Sequence, residues 1–488
     1  MSIIDIKNLT FRYEGAAEYI FEKVNLEIST AWKSGLVGRN GKGKTTLLKL
    51  LTGELEYSGT IRADVEFEYF PYPVADISAP LYCVLQQVCP CFEEWKVRRE
   101  LNLLEVFEVD FYRPFNTYSE GERTKILLAA MFCKDNAFLL IDEPTNHLDK
   151  CGRALLSRYL NKKSAYIVVS HDRRFLDGCI DRVISINRAA IEVQNGNLSS
   201  YLQNKKRQDD FEEAENQKLL CDIKRLTEAG KRRTVMADKA EEEKWGGHCD
   251  RGYLGAKAAR VMKQAINMRN RIDAAVEEKS TLLKNIDRAD SLGAAKSQRF
   301  FKERLLTVKD LVIFYGNRQI NEPLSFEIDR GERVSLWGRN GSGKSSVLKA
   351  VLGELPYKGT IERNRQLKIS YLPQDTSFLK GSFDDFCARG GVDKTRLLTF
   401  LFKLGLERSQ FEKSLEEQSQ GQKKKLLLAK SLCEQAHLFI WDEPLNYIDV
   451  ISREQIKEVI LNSGISLLLV EHDAAFIDEV ATKEVEIK

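Results

Sequence analysis

The sequence predicts an α/β fold with two similar domains and a helical linker between them. Long stretches of the chain recur at a spacing of 300 residues, which indicates duplicated domains rather than a solenoid. In each copy, short apolar runs alternate with longer amphipathic stretches, which is the pattern of α/β domains. The middle of the chain has no counterpart in either copy and is rich in Glu, Lys, Ala and Leu. We therefore expect domains at 1–203 and 303–488, with a linker at 204–302.

Four pairs of segments carry the repeat, and every pair is separated by 300 residues. They are GRNGKGKTT (38–46) and GRNGSGKSS (338–346), LTGELEYSGTI (51–61) and VLGELPYKGTI (351–361), YSEGERTKILLAAMF (118–132) and QSQGQKKKLLLAKSL (418–432), and LLIDEPTNHLD (139–149) and FIWDEPLNYID (439–449). Apolar runs such as FLLID, LFIWD, YIVVS and SLLLV are short and bounded by polar residues, so we expect buried strands.

Composition excludes several classes of protein. The chain is 43% hydrophobic and 30% charged, as in globular proteins, and no apolar run has the roughly 18 residues of a membrane span. Its N-terminus lacks the basic and apolar regions of an export signal. The ten cysteines show no C-x-x-C pair, which argues against zinc ribbons and iron–sulfur clusters. These features predict a cytoplasmic protein with reduced thiols.

The pattern G-x-x-x-x-G-K-[ST] occurs once in each domain, after an apolar strand and before a helical stretch. In this context, backbone N–H groups and the helix N-terminus surround phosphate oxygens, the lysine contacts the terminal phosphates, and the hydroxyl binds Mg²⁺. Two matched motifs therefore predict two nucleotide sites. The expected phosphate-binding residues are Gly38, Asn40, Gly41, Gly43, Lys44, Thr45, Thr46, Gly338, Asn340, Gly341, Gly343, Lys344, Ser345 and Ser346.

An apolar strand ending in Asp-Glu follows each motif, and in both domains the aspartate comes 98 residues after the lysine. An acidic strand cap would not explain this matched spacing. We expect Asp142 and Asp442 to hold Mg²⁺ together with Thr45 and Ser345. Each following glutamate is placed to polarise water, and a histidine ends a later strand in both domains. The predicted catalytic residues are Glu143, Glu443, His171 and His472.

Both domains resemble the ATP-binding cassette family. The segments SEGE (Ser119–Glu122) and SQGQ (Ser419–Gln422) stand where that family has Ser-Gly-Gly-Gln, a motif that contacts nucleotide bound to the opposite cassette. The resemblance implies a monomer whose two cassettes sandwich two ATP molecules head to tail. Ser419 and Gly421 would then complete the site of Lys44, and Ser119 and Gly121 would complete the site of Lys344.

Further residues follow from the same resemblance. Tyr13 and Tyr315 match the aromatic residue that stacks on adenine, although ordinary strand aromatics remain an alternative. Gln374 matches the glutamine that contacts water and Mg²⁺. The first domain has Tyr72 at that position, so we expect its site to be slower but active, because Glu143 and His171 remain.

The linker is expected to form an antiparallel helical hairpin. Phe211, Leu219, Ile223 and Leu226 recur at helical spacing within about 205–243, which is free of proline. Four glycines at 246–255 predict a break. A second apolar stripe predicts another helix over about 254–290, and arms of about 35 residues would be roughly 50 Å long.

Positive charge gathers around this break. Lys218–Arg271 holds 14 Lys and Arg against 7 Asp and Glu, although the whole chain carries only +3. Cations with interleaved aromatics suit RNA, through phosphate contacts and stacking on bases, although a merely solvated hairpin is the alternative. The candidate RNA-binding residues of the tip (231–263) are Lys231, Arg232, Arg233, Lys239, Lys244, Trp245, Arg251, Tyr253, Lys257, Arg260 and Lys263.

Two cassettes, a charged linker and the segment DEPTNHLD resemble the ABC-F branch, whose members act on the ribosome. The segment GYLGAKAARVMKQ resembles the antibiotic-resistance subgroup of the Vga and Lsa kind. This implies an ATPase that in its ATP-bound form enters the exit site (E site), contacts large-subunit rRNA and P-site tRNA, and directs the linker tip toward the peptidyl transferase centre. Bound drug would be lost, and hydrolysis would release the protein.

Other functions remain open at this point. A general ABC-F translation factor would share these features. An ATPase subunit of a membrane transporter would give the cationic hairpin no role. A DNA-acting or chromosome-structural cassette protein usually has longer coiled coils or zinc-binding cysteines, and cysteine spacing excludes an iron–sulfur recycling factor.

Overall fold

The computed structural model of the chain describes residues 2–15, 19–146, 148–186, 191–246, 292, 300–316, 318–406, 410–411 and 414–487. The chain forms two compact units. One consists of Met1–Tyr201 together with Ala289–Lys488, and the other of Leu202–Arg288. Both duplicated domains therefore belong to the first unit.

The first domain contains two sheets. Its strands are β1 (Ile3–Phe11), β2 (Phe21–Ser29), β3 (Lys33–Gly38), β4 (Ser58–Arg62), β5 (Glu66–Phe70), β6 (Ala137–Asp142), β7 (Tyr166–Val169), β8 (Arg182–Ile186) and β9 (Ile191–Asn195). An antiparallel sheet has the order β2-β1-β4. The larger sheet has the order β5-β6-β7-β3-β8-β9, with β9 antiparallel to β8 and the other neighbours parallel.

Helices of the first domain follow its strands. They are α1 (Lys44–Leu51), α2 (Leu81–Val88), α3 (Glu94–Leu103), α4 (Glu120–Met131), α5 (Lys150–Asn161) and α6 (Arg173–Cys179). The central parallel strand β7 is buried along its whole length and β6 is buried except at its two ends, as expected for strands covered on both faces of the sheet. The prediction of buried strands at FLLID and YIVVS is therefore confirmed.

The second domain repeats this arrangement. Its strands are β10 (Arg304–Tyr315), β11 (Arg318–Gln319), β12 (Leu324–Asp329), β13 (Arg333–Trp337), β14 (Tyr357–Arg363), β15 (Ile369–Leu372), β16 (Leu438–Asp442), β17 (Leu467–Val470) and β18 (Lys483–Glu486). Its helices are α8 (Lys344–Leu352), α9 (Phe383–Gly390), α10 (Lys394–Lys403), α11 (Gln420–Cys433), α12 (Val450–Ser463) and α13 (Ala474–Val480). The parallel sheet has the order β15-β16-β17-β13-β18, and the α/β prediction is confirmed for both domains.

Parallel strands of both domains place their carboxyl ends at one edge of each sheet. In the first domain, Gly38, Asp142 and Val169 end β3, β6 and β7, which are neighbours. Ligands of open α/β sheets bind at this edge. The topology therefore brings together motifs that are far apart in the sequence.

The linker begins with a single long helix, α7 (Leu198–Gly246), which at 1.5 Å per residue is about 73 Å long. It starts earlier than the expected residue 205, because Asn197 accepts a hydrogen bond from the backbone N–H of Ser200 (3.0 Å) and caps its first turn. The predicted second arm lies outside the described residues. Within the described part of the chain, no helix combines the length and apolar character needed to cross a bilayer.

Candidate nucleotide-binding sites

Each Gly-rich loop joins a buried strand to a helix, and a glycine in the left-handed region makes that turn possible. Gly43 has φ +94° and Gly343 has φ +90°. A Cβ on Gly43 would lie 2.6 Å from Ile20 Cγ2, and a Cβ on Gly343 would lie 2.6 Å from Ile320 Cγ2. Both backbone conformation and space therefore require glycine here.

The loop lysines are buried at the centre of their loops. Lys44 Nζ donates to the carbonyl oxygens of Gly38 (2.8 Å) and Arg39 (3.2 Å) and to Asn40 Oδ1 (3.2 Å). Lys344 Nζ donates to the corresponding carbonyls of Gly338 (2.9 Å) and Arg339 (3.0 Å). Burial lowers the pKa of both lysines, while nearby carboxylates oppose this shift.

The predicted Mg²⁺ ligands lie together in both domains. Thr45 Oγ1 donates to Asp142 Oδ2 (2.8 Å), which also accepts from the Tyr69 hydroxyl (3.0 Å). Ser345 hydrogen-bonds to Asp442, whose Oδ1 is buried and has no hydrogen-bond partner in the described structure. Burial raises the pKa of Asp442 to about 6. Hydroxyl and carboxylate oxygens are donors that Mg²⁺ prefers, so these residues fit the ion.

Glu443 is held by several polar side chains. Its Oε2 accepts from Gln374 Nε2 (2.7 Å) and Asn446 Nδ2 (2.6 Å), and its Oε1 lies 3.5 Å from His472 Nε2. Burial pushes the pKa of Glu443 up, but the His472 bond and nearby lysines outweigh burial and hold this pKa below its usual range. The carboxylate is therefore ionised at neutral pH and able to orient water.

Glu143 lies in a different environment. Its Oε1 is buried and has no hydrogen-bond partner within the described residues, although His171 Nε2 is 3.4 Å away. Burial, with a contribution from Asp142, raises the pKa of Glu143 to about 8. Burial, together with the nearby Lys44, also lowers the pKa of His171 well below its ordinary value. At neutral pH, less of Glu143 than of Glu443 is therefore in the carboxylate form that can act as a base.

Tyr72 stands at the sequence position of Gln374, as expected, but its side chain has a different hydrogen-bond partner. Its hydroxyl donates to the carbonyl oxygen of Gln87 (3.0 Å). Tyr69 of the same segment does contact the first site, through Asp142. Within the described residues, the Tyr72 hydroxyl is therefore bonded to Gln87 and not to Glu143.

The second site, which contains Lys344, opens into a cavity of about 1060 Å³ lined by both domains. Ser119 and Gly121 of the first domain and Lys344, Ser345 and Gln374 of the second face this space. The adenine candidate Tyr315 also lines the cavity, and its hydroxyl lies 3.3 Å from Ser346 Oγ. Further lining residues include Asn340, Gly341, Gly343, Ser346, Glu443 and His472. The structure thus brings predicted residues of both cassettes together around this site.

The first site, which contains Lys44, is packed more closely. Asn40 Nδ2 donates to the Tyr447 carbonyl (2.7 Å), and the Asn40 N–H donates to Asp449 Oδ2 (3.4 Å). A Cβ on Gly421 would lie 2.7 Å from the Tyr447 oxygen and 3.0 Å from Asn40 Nδ2. Residues of the second domain therefore contact the Gly-rich loop of the first.

The remaining nucleotide candidates lie beside these loops. The hydroxyl of Tyr13 is 3.0 Å from Thr46 Oγ1. Ser119 and Ser419 are N-cap residues of α4 and α11, and each forms a capping box with the residue three positions later. The N-termini of α4 and α11, which would contact phosphate, are therefore each stabilised by hydrogen bonds within their own first turn.

Several residues at these sites were not predicted. Lys425 Nζ lies 2.6 Å from Asp449 Oδ2, and both side chains are buried. Lys424 and Glu471 are also buried beside Asp442 and Glu443. The sequence does carry a signal for Lys424 and Glu471. The first half has the neutral residues Thr124 and Ser170 at these positions, so the two halves differ in charge there.

The RNA candidates of the linker are only partly covered by the structure. One group lies on the helix Leu198–Gly246 and consists of Lys231, Arg232, Arg233, Lys239, Lys244 and Trp245. A second group lies outside the described residues and consists of Arg251, Tyr253, Lys257, Arg260 and Lys263. Their role in RNA binding stays a prediction.

Comparison with known proteins supports the resemblance of both domains to ATP-binding cassettes. The family model described as ABC transporter matches residues 21–146 and 321–446, which together are more than half of the chain. The ribosome protection protein VmlR of Bacillus subtilis is 27% identical over 509 residues, covering 99% of this chain and 86% of that protein. The ATP-binding protein Uup of Caulobacter vibrioides is 26% identical over 500 residues, covering 97% of this chain and 76% of Uup.

A solved structure supports the fold. The archaeal ribosome recycling factor aABCE1, in complex with the ribosomal stalk protein aP1, superimposes with a TM-score of 0.63 at 20% identity. The match covers 98% of this chain and 87% of that chain. Two family matches, one in each half and each containing the Gly-rich loop and the Asp-Glu strand, leave one conclusion. The chain belongs to the ABC transporter family, as a tandem-cassette ATPase of the ABC-F type that its sequence predicts.

Proposed function

We propose that this ATPase binds the ribosome in its ATP-bound, closed form and uses its linker to protect the peptidyl transferase centre from large-subunit antibiotics. Hydrolysis of ATP to ADP and phosphate then releases it. In this proposal the protein works in the cytoplasm as a monomer, at the E site, and contacts large-subunit rRNA and P-site tRNA.

The observation that carries the proposal is that VmlR, a protein named for ribosome protection, matches 99% of this chain. The match therefore extends across the charged linker and not only the cassettes. The linker has the composition expected for RNA contacts, with 14 basic and 7 acidic residues over Lys218–Arg271.

The geometry of the sites supports a closing step. Ser119 and Gly121 of one cassette line the same cavity as Lys344 of the other, so a nucleotide bound there is a ligand of both. A ligand that contacts both cassettes favours their closed arrangement by its differential affinity. Mg²⁺, held by Ser345 and Asp442, would offset the negative charge of the phosphates in this site.

The linker helix is attached close to the catalytic histidine of the first site. Arg173, two residues after His171, donates through Nε to Ser199 Oγ in the first turn of α7 (2.9 Å). The N–H of Ser199 donates to Asp177 Oδ1 on α6 (2.8 Å). Movements of α6 on closure or hydrolysis would therefore be passed to the start of the linker.

Co-sedimentation tests this proposal. Glu143→Gln with Glu443→Gln should bind ATP without hydrolysing it and pellet with ribosomes in ATP but not in ADP. A double variant that stays free of ribosomes in ATP contradicts the proposal.

A growth assay tests the role of the linker tip. Replacement of 244–254 by a Gly-Ser segment should leave ATP hydrolysis intact and abolish growth protection in a susceptible bacterium challenged with large-subunit inhibitors.

A second candidate is a general translation factor of the same branch, because two relatives that are named only for ATP binding match to a similar degree as VmlR. They are Uup, at 26% identity, and the putative ATP-binding protein YdiF of Bacillus subtilis, at 27%. The growth assay separates the two. Ribosome binding without protection against any inhibitor in the panel favours the general factor. Recovery of the protein with membranes instead of ribosomes favours a transporter subunit.

A further inference from the structure

Two buried charged side chains hold the turn that carries Glu443. Lys424 Nζ donates to the backbone carbonyls of Pro373 (3.0 Å) and Asp442 (3.4 Å). Glu471 accepts from the N–H groups of Leu445 (3.1 Å) and His472 (2.7 Å) through its two oxygens. Both side chains are almost fully buried, at 2% and 3% exposure.

The first cassette has neutral side chains at these two positions. Thr124, which corresponds to Lys424, donates its hydroxyl to the Glu120 carbonyl on its own helix (3.0 Å). Ser170, which corresponds to Glu471, is hydrogen-bonded to Thr145 through the two hydroxyls (2.9 Å). Burial of a charge costs free energy unless the charge is hydrogen-bonded. Two buried charges that the first cassette lacks therefore indicate a specific role in the second.

The turn between these charges has a strained residue at its centre. Glu443 has φ +47° and Glu143 has φ +50°, so in both cassettes the catalytic turn holds a non-glycine residue in the left-handed region, and only the second has the two charged side chains around it. Lys424 attaches the residue before Glu443, and Glu471 attaches Leu445, two residues after it. The backbone is therefore fixed on both sides of the catalytic carboxylate.

Lys424 also joins the catalytic turn to the strand end that carries Gln374. It bonds the carbonyl of Pro373, and the next residue, Gln374, donates to Glu443 Oε2 (2.7 Å). One ammonium group therefore joins two segments whose side chains, Gln374 and Glu443, are hydrogen-bonded to each other.

We propose that Lys424 and Glu471 are positioning residues for hydrolysis in the second site, where they clamp the backbone on either side of Glu443 and hold it against Gln374. The first site lacks this clamp, so steady-state turnover is concentrated in the second site. The inference rests on the hydrolysis step of the proposed function and is independent of what the protein binds.

Steady-state kinetics of the full-length protein without ribosomes tests the clamp. A Glu143→Gln background restricts hydrolysis to the second site. In that background, Lys424→Met should lower kcat about tenfold or more, because the turn loses a charge-assisted donor, while KM for Mg-ATP stays within about twofold. Lys424→Arg should restore most of kcat, since a guanidinium can also donate to both carbonyls.

Matched variants separate positioning from folding. Lys423→Met is the control, because Lys423 donates to the Glu416 carbonyl outside the catalytic turn (3.0 Å), and it should keep both constants. Glu471→Gln keeps the shape and an acceptor oxygen but loses the charge, so it should lower kcat less than Lys424→Met. Its kcat provides a second test if Lys424→Met fails to fold.

Several results overturn the proposal. One is an unchanged kcat in the Lys424→Met protein. If Lys424→Met does not fold, an unchanged kcat in the Glu471→Gln protein has the same meaning. Another is a loss of kcat accompanied by an equal rise in KM and a lower Tm, without rescue by Lys424→Arg. A Glu143→Gln protein that does not hydrolyse ATP overturns the assignment of turnover to the second site. Since no ribosome is present, failure of ribosome binding leaves all of these outcomes unaffected.

Discussion

Lys425 and Asp449 form a buried ion pair at 2.6 Å that joins three parts of the molecule, with side chains only 4% and 0% exposed. Lys425 lies on α11, just after the Ser-Gln-Gly-Gln segment, and also donates to the Leu404 carbonyl (2.7 Å). Asp449 caps α12 through the Ser452 N–H (2.9 Å) and accepts from the Asn40 N–H of the other cassette (3.4 Å). The pair therefore orders the second-cassette surface that contacts the first site.

Lys425→Met should destabilise the protein, because it leaves the Asp449 charge buried without its partner. Removal of one partner of a buried pair costs about 3–5 kcal/mol, so thermal unfolding should show a clearly lower Tm. Lys423→Met, at a partly exposed position of the same helix, should change Tm little. Equal Tm values for the two variants would contradict this account.

The same pair sets a pH dependence. Burial favours a raised pKa for Asp449, but Lys425 and the Ser452 N–H hold this pKa well below its usual range. A depressed carboxyl pKa contributes stability above the ordinary Asp value and loses it as pH falls through the folded-state value. The Tm difference between wild type and Lys425→Met should therefore be largest near neutral pH and shrink in acid, because protonation of Asp449 removes the unpaired buried charge from the variant.

The pKa of Glu143, raised to about 8, predicts that the first site responds to pH differently from the second. A general base acts in its ionised form, so in Glu443→Gln the residual hydrolysis should rise as pH increases toward 8 and level off above it. The pKa of Glu443 is lowered, and Glu143→Gln should show no such rise between pH 6.5 and about 8. Superimposable pH profiles for the two variants would show that the environments do not differ.

Gln374 and Tyr72 occupy matching positions in the two halves but have different partners. Gln374→Ala should reduce kcat by about 10- to 100-fold with little effect on ATP binding, because Glu443 loses the donor at 2.7 Å that orients it. Tyr72→Phe removes only a hydroxyl bonded to the Gln87 carbonyl and should leave kcat unchanged. A loss of similar size in both variants would indicate that the two side chains support folding rather than catalysis.

The local motifs of this chain could be predicted from sequence because their function fixes their geometry. The left-handed glycines Gly43 and Gly343 and the strands that end at Asp142 and Asp442 are encoded within a few residues. The start of α7 at Leu198 is also encoded locally, by the N-cap Asn197. The apolar residues with helical spacing begin only at Phe211, which is why the predicted start is later, at about 205.

Contacts between distant segments could not be predicted in this way. Asn40 meets Tyr447 and Asp449 across more than 400 residues of sequence, and spacing says nothing about such pairs. The difference between Lys424 and Thr124 is visible when the halves are aligned, but burial decides whether a lysine matters, and burial appears only in the fold. The hydrogen bond from the Tyr72 hydroxyl to the Gln87 carbonyl is likewise a tertiary contact that the repeat does not encode.

Arg173 connects the second cassette to the beginning of the linker, so its removal should uncouple nucleotide binding from ribosome binding. Its Nη1 lies 3.7 Å from Glu454 and 3.9 Å from Glu479 of the second cassette, and its Nε donates to Ser199 Oγ. Arg173→Met should weaken ATP-dependent ribosome binding by about 0.5–2 kcal/mol, the usual range for residues that carry coupling, while ATP affinity is retained. Arg174→Met is the control, because Arg174 pairs with Asp478 at an exposed edge of the same interface. Quantitative co-sedimentation at increasing protein concentration measures both, and an equal loss in the two variants would assign the effect to the interface as a whole and not to the attachment of α7.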